Sequence, residues 1–78
     1  MKITTNMKIR SRQLCILAKQ LEWGSERQIE AEDELCELAQ RIHDDQIDTD
    51  NQCFEDIVFR MTTNERVDFA LAVVEGRV

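Results

Sequence analysis

The fold of this chain is decided by residues 25–43, which read SERQIEAEDELCELAQRIH. The segment begins with Ser25 to Gln28, a capping-box pattern in which the serine and glutamine side chains each bond a free backbone N–H at a helix start. Apolar residues then recur at helical spacing. They are Ala31, Leu35, Leu38, Ala39 and Ile42. The pattern predicts an amphipathic helix over residues 26–43.

The same capping signature occurs twice more, at Thr49–Gln52 and at Thr62–Glu65. Each copy precedes apolar residues at helical spacing, so the sequence predicts a third helix over residues 50–61 and a fourth over residues 63–75. Gly76 stands directly after the fourth helix, where glycine commonly ends a helix. Three capping boxes with matching apolar stripes support one another.

An earlier helix is predicted over residues 11–23, because apolar residues repeat at helical spacing from Leu14 and Gly24 follows as a stop signal. The chain contains no proline and only two glycines, which is typical of a helical protein. With 78 residues it is too short to divide its apolar residues between two cores. We therefore predict an all-α fold, a compact bundle of three to four short helices in one domain, residues 1–78.

The conformation of residues 1–10 is ambiguous. Apolar residues alternate with polar ones from Ile3 to Ile9, which is strand periodicity. Met7, however, lies seven residues before Leu14, so the first helix could also begin near Asn6. A lone strand would need an edge from a second copy of the chain. We favour an extended or loosely helical basic arm.

Charge is distributed very unevenly along the chain. The first twenty residues carry five positive charges and no negative one, whereas residues 21–56 carry thirteen acids against Arg27 and Arg41. The formal net charge of −6 therefore combines a basic N-terminal segment with a strongly acidic central segment. Such asymmetry favours charge-guided binding, either to a basic partner or between copies of the chain.

The acids of the second helix share one face, within about 100° on a helical wheel and opposite the apolar stripe. This set comprises Glu26, Glu30, Asp33, Glu34 and Glu37, and Asp44, Asp45 and Asp48 continue it. One interpretation is a solvated helix face, which most charge runs are. The other is a surface that contacts arginine and lysine on another molecule, and these eight residues are our predicted partner-binding set.

A second group of apolar residues lies off the main helical stripes. They are Ile16, Trp23, Ile29, Phe59, Phe69 and Val73. Because so small a chain cannot bury all of them, they predict self-association into a homo-oligomer or contact with a partner. Trp23 is the predicted anchor, since tryptophan contributes a large contact area at little entropic cost. The alternative is a core tryptophan at a helix end.

No residue pattern predicts catalysis, a cofactor or a metal site. Residues 44–55 resemble an EF-hand loop only in part, because Gln46 replaces a carboxylate and Thr49 replaces the turn glycine, so we expect no calcium binding. Cys36 and His43 are too far apart along one helix to share a zinc ion. Three cysteines without a CxxC pair favour reduced thiols in the cytoplasm. No apolar run approaches a membrane span.

No stretch of the sequence matches a family motif. The composition and charge favour a non-enzymatic acidic binding protein that docks on a basic surface of a protein or ribonucleoprotein, without binding nucleic acid directly. An inhibitor encoded by a phage or mobile element, of the anti-CRISPR or anti-restriction kind and acting in the host cytoplasm, fits this description by analogy. The alternative is a structural or regulatory helical module that binds through its apolar faces.

Overall fold

The protein forms an all-α bundle, as predicted. A computed structural model describes residues 2–46 and 53–77. These residues form four helices and no strand: α1 (Thr5–Gln20), α2 (Glu26–Gln46), α3 (Phe54–Val58) and α4 (Thr63–Glu75). No helix within the described ranges is long and apolar enough to span a bilayer.

Helix α1 begins six residues earlier than the predicted start at residue 11. The Thr4 hydroxyl accepts a hydrogen bond from the Met7 N–H at 3.2 Å, and the Met7 sulfur accepts one from the Thr4 N–H at 3.4 Å. This capping box explains the early start, so the extended arm and the strand are both wrong for residues 5–10. The helix ends at Gln20, and Gly24, with φ +81°, lies in the following turn and is not its stop signal.

Helix α2 begins at Glu26 as predicted and continues three residues past the predicted end at His43. Only half of its predicted capping box forms. The backbone N–H of Gln28 donates to the Ser25 hydroxyl at 3.3 Å, but the side-chain Oε1 atom of Gln28 accepts from the Gly24 N–H at 3.1 Å and not from the Ser25 N–H. Gln28 therefore holds the turn as well as the helix start.

The last two helices differ in how well the sequence predicted them. Helix α3 has five residues, shorter than the predicted span 50–61, whose first part and proposed cap at Thr49–Gln52 lie outside the described residues. Helix α4 matches its prediction, with a Thr62–Glu65 capping box at its start and Gly76 at φ +76° after its end. A complete cap at each end thus makes α4 the helix that the sequence specifies best.

Helices α1, α2 and α4 pack against one another in pairs, and α3 contacts α2. Ion pairs join Arg12 to Glu75 and Lys19 to Asp68, so α1 and α4 run antiparallel. Four alanines lie in the core between these helices: Ala18, Ala31, Ala39 and Ala70. Small side chains let helix axes approach closely. The largest fully buried side chains are Phe54 and Leu35.

Two of the predicted surface residues are not on the surface. Val73 is only 5% exposed and belongs to the core, so the prediction that it points away from the bundle is wrong. Phe69 is half-buried, and its ring packs with those of His43 and Phe54, which also contact each other. Both residues face the core because α4 contacts α1 on one side and α2 on the other, which widens its buried face.

Gln28 forms a buried polar joint between α1, the α1–α2 turn and α2. Its side chain is 2% exposed. Its side-chain amide nitrogen donates to the Ala18 carbonyl and to the Glu32 carboxylate, each at 3.4 Å. The Ala18 carbonyl lies in the last turn of α1, where no helical N–H is available to bond it. Glu32 in turn accepts from Arg66 on α4 at 2.8 Å. One polar network therefore joins three helices.

We expect replacement of Gln28 by alanine to lower the free energy of unfolding by about 1–3 kcal/mol, because the buried Ala18 carbonyl and the Gly24 N–H would lose their hydrogen-bond partner. Urea denaturation followed by circular dichroism measures this loss. The control is Gln13→Ala, an exposed glutamine on α1, which should change stability by no more than about 0.5 kcal/mol. Equal stability of the two variants would contradict the stabilising role given to the Gln28 side chain.

Candidate protein-interaction surface

Four carboxylates form a row along the outward face of α2. They are Glu26, Glu30, Asp33 and Glu37, and all four are exposed. The row lies opposite Leu35, which is fully buried against the other helices, and it rises about 17 Å along the helix axis. In the part of the chain that the structure describes, none of the four forms an ion pair or hydrogen bond. We call these four residues the acidic row.

Glu34, the fifth predicted acid of this helix, is already paired. Its carboxylate accepts a hydrogen bond from Arg10 on α1 at 2.8 Å. Both side chains remain more than half exposed, so the pair contributes little to stability. Glu34 therefore lies at the edge of the acidic surface, with its charge compensated within the chain.

Asp44 has a structural position. Its carboxylate accepts from the Phe54 N–H at 3.0 Å and lies 3.2 Å from the Nδ1 atom of His43. Cys53, the N-cap residue of α3, makes no capping bond with its side chain, so Asp44 replaces it from α2. The Phe54 N–H, and next the His43 side chain, lower the pKa of Asp44 because both stabilise the ionised form. Asp45 is exposed, and Asp48 lies outside the described residues.

The cations of α1 are mostly neutralised within the chain. Arg12 donates to Glu75 at 2.7 Å, and Lys19 is paired with Asp68, so both bind acids of α4 and not the acidic helix α2. Arg12, and then Arg77, lower the pKa of Glu75. Only Arg10 reaches α2. The basic N-terminal segment therefore does not neutralise the carboxylates of the acidic row.

Exposed apolar residues lie in the α1–α2 turn, at the start of α2 and just after α3, and Ile9, Ile16 and Leu17 are exposed along α1. Trp23 is 80% exposed, Phe59 78% and Ile29 45%. The Trp23 indole N–H donates to the hydroxyl of Thr63 at 3.4 Å, which places the α1–α2 turn beside the start of α4 and the connection that carries Phe59. Trp23 is thus a surface residue and not a core tryptophan.

Two of the three thiols, Cys15 and Cys36, lack the features of reactive groups. Cys15, Cys36 and Cys53 are all free. Burial raises the pKa of Cys15, and burial together with the nearby Glu32 carboxylate raises the pKa of Cys36 to about 11. Both are therefore protonated at neutral pH, which makes them poor nucleophiles. Within residues 2–46 and 53–77, no three His, Cys, Asp or Glu side chains are placed to hold a metal ion.

No protein family, curated protein or solved structure matches the chain. Its function must therefore be argued from its own surfaces. These are the acidic row on α2, the apolar residues beside Trp23, and the grooves between helices. Together they offer negative charge and apolar contact area.

Sequence reasoning overlooked the ion pair between Glu32 and Arg66. On the helical wheel Glu32 falls beside the apolar stripe of α2, so its burial could have been predicted. Its partner could not, because the meeting of α2 and α4 depends on how the helices pack. The overlooked pair matters for the surface, since it neutralises Arg66, which borders the same groove as Asp33 and Glu37.

Replacement of Asp44 by alanine should destabilise the fold at neutral pH by about 0.5–2 kcal/mol, the usual effect of losing a helix cap. The pKa of Asp44 is lower in the folded than in the unfolded chain, so its stabilisation is present above its ordinary value of 3.8 and is lost as pH falls through the folded pKa. Wild type and D44A should therefore converge in urea denaturation at acidic pH.

Asp44→Asn is the control for this effect. Asparagine keeps an acceptor oxygen for the Phe54 N–H but cannot ionise, so it should retain part of the cap at neutral pH and lose the dependence on acid. A constant difference between wild type and D44A across the acidic range would contradict the role given to the ionised carboxylate.

Proposed function

We propose that this chain is a non-enzymatic binding protein whose acidic row docks on a basic surface of another protein or ribonucleoprotein. The supporting observation is that, within residues 2–46 and 53–77, no side chain pairs with Glu26, Glu30, Asp33 or Glu37, although the chain carries ten basic residues. Of the α1 cations, Arg12 and Lys19 bind α4, and Arg10 binds Glu34 outside the row. The row is therefore fully available to an external cation.

The row has an energetic cost that a purely structural role does not explain. Like charges three and four residues apart on a helix repel by a few tenths of a kcal/mol per pair. The sequence places Arg41 four residues after Glu37, yet the two form no ion pair in the described structure. A partner with complementary charge would relieve this repulsion and would be attracted from a distance.

An inhibitor encoded by a phage or mobile element is the specific form of this proposal. Proteins that handle nucleic acid expose basic surfaces for phosphate, and a rigid helix with a row of carboxylates presents the same sign of charge as a phosphate backbone. Neighbouring acids of the row are separated by about 4.5–6 Å along the helix, a wider spacing than the ~3.4 Å of one DNA strand. The row imitates the charge of nucleic acid and not its detailed geometry.

The quadruple variant E26Q/E30Q/D33N/E37Q should keep the fold and lose the partner. Removing the mutual repulsion should leave stability unchanged or raise it by a few tenths of a kcal/mol. Affinity capture from the native cell with quantitative mass spectrometry should show proteins retained by wild type and absent from the variant. Their retention should weaken with added salt, because attraction between exposed charges is screened.

The control is the double variant E22Q/D56N, which removes exposed carboxylates outside the row. It should retain the same proteins, apart from a small loss from the change in net charge. If the quadruple variant captures the same proteins as wild type at low and at high salt, the acidic row is only a solvated face and the proposal is wrong.

A second candidate function is favoured by the exposure of Trp23 and Phe59. In that case the chain is a structural or regulatory module that binds through apolar contacts, with Trp23 as the anchor. Self-association is the simplest such contact. Because each copy carries a formal charge of −6, added salt should strengthen association between copies, the reverse of its effect on binding to a basic partner.

Sedimentation equilibrium over a range of micromolar concentrations measures this self-association. We expect a mass above the 9.2 kDa of one chain, increasing with concentration and with salt. Trp23→Ala should return the protein to a monomer, whereas Gln20→Ala, an exposed residue in the last turn of α1, should not. A 9.2 kDa species at every concentration would contradict self-association.

A further inference from the structure

We propose that the groove between α2 and α3 binds an arginine side chain of the partner protein. The groove has a volume of about 470 Å³, within the ~300–1,000 Å³ of typical ligand pockets. This inference rests on the proposed function and adds to it a defined site and a defined residue type. Glu55, on the far wall of the groove, is not part of the acidic row.

The floor of the groove is apolar. Phe54 and Val58 line it from α3, and Cys36 lines it from α2. Phe54 and Val58 are buried, so the floor of the groove is part of the packed core. An arginine carries three methylene groups that pack well on such a surface while the charged head remains at the rim.

The rim of the groove is negative on both walls. Asp33 and Glu37 line it from α2, and Glu55 lines it from α3. Arg66 also borders the groove, but its charge is compensated by Glu32 at 2.8 Å. The Gln40 amide donates to Glu55 at 3.4 Å and leaves the charge of that carboxylate intact. Three uncompensated carboxylates therefore surround an apolar floor.

The state of the Cys36 thiol supports this description of the field. Burial raises its pKa most, and the neighbouring carboxylates of Glu32 and Asp33 raise it further, whereas Arg66 acts in the opposite direction. Burial disfavours charge of either sign, but among the charged neighbours Glu32 acts more strongly than Arg66 and Asp33 adds to it, so the field of the charged groups at Cys36 is negative. The same field favours a cation and repels phosphate, so the sign of the charge selects a basic polypeptide over nucleic acid.

Arginine fits this site better than lysine. Its planar guanidinium presents five N–H donors and can bond carboxylates on two walls at once, and it is more weakly hydrated than an ammonium group. A metal ion is a poor occupant, because the acids among the described residues do not converge closely enough to share one. The chemistry of the groove therefore matches a protein segment that projects an arginine.

Nuclear magnetic resonance titration with N-acetyl-arginine amide tests the site on the full chain. Backbone amide signals of Cys36, Gln40 and Val58 should shift in a saturable manner. N-acetyl-citrulline amide, a neutral side chain of the same shape, should produce no such shift. N-acetyl-lysine amide should bind more weakly than the arginine probe.

Matched variants separate the groove from the general negative charge. D33N/E37Q and E26Q/E30Q remove the same charge from the same face of α2, but only the first pair lines the groove. We expect D33N/E37Q to weaken probe binding by about fivefold or more, and E26Q/E30Q to change it by less than about twofold. Glu55→Gln should also weaken binding, although it leaves the acidic row intact.

Three outcomes would contradict the proposal that the groove binds arginine. The first is that the arginine probe shifts amide signals over the whole chain, or shifts none at any probe concentration. The second is that the two double variants lose probe binding equally. The third is that the groove signals shift with protein concentration alone, which would indicate that a second copy occupies the groove. If the quadruple variant still loses its partner while the probe leaves the groove unaffected, the proposed function stands without this site. A groove that binds the probe while the quadruple variant keeps every partner would instead contradict the acidic row.

Discussion

The buried side chain of Gln28 is the contact on which the arrangement of the helices depends. It satisfies a carbonyl at the end of α1 and an N–H of the turn, and it contacts Glu32, which binds Arg66 of α4. A 78-residue chain with an alanine-rich core buries little apolar area, so it gains much from polar groups that are paired and not left unsatisfied. The joint also sets the direction of α2, and with it the direction in which the acidic row faces.

The distribution of ion pairs gives the surface its character. Arg12 and Lys19 of α1 form ion pairs with acids of α4. On the other side of α4, Arg66 forms an ion pair with Glu32 of α2. Each pair contributes modestly where it is exposed. Their joint effect is nevertheless specific: among the described residues, the acids of α4 bind Arg12 and Lys19, Arg10 binds Glu34 at the edge of the acidic surface, and no cation pairs with the acidic row. The chain is therefore neutralised where its helices meet and negative where α2 meets water.

The sequence predicted most accurately those elements whose signals are local. Helix α4 follows from Thr62, Glu65 and Gly76, which lie next to the helix that they limit. The early start of α1 was harder to predict, because its cap uses the sulfur of Met7 in place of the usual glutamate or glutamine. The burial of Val73 and the α2–α3 groove could not be predicted, since both depend on which helices meet. The exposure of the acidic row was predictable from helical periodicity alone.

Helix α3 is the element in which stability and the proposed binding site are most closely linked. Five residues are too few for an independent helix, so its position depends on the burial of Phe54 and Val58 and on the bond from Asp44 to the Phe54 N–H. The same helix supplies the far wall of the groove through Glu55. The sequence analysis placed Asp44 among the partner-binding acids. In the structure its carboxylate already accepts the Phe54 N–H, so Asp44 supports the proposed site by holding the α3 wall in position.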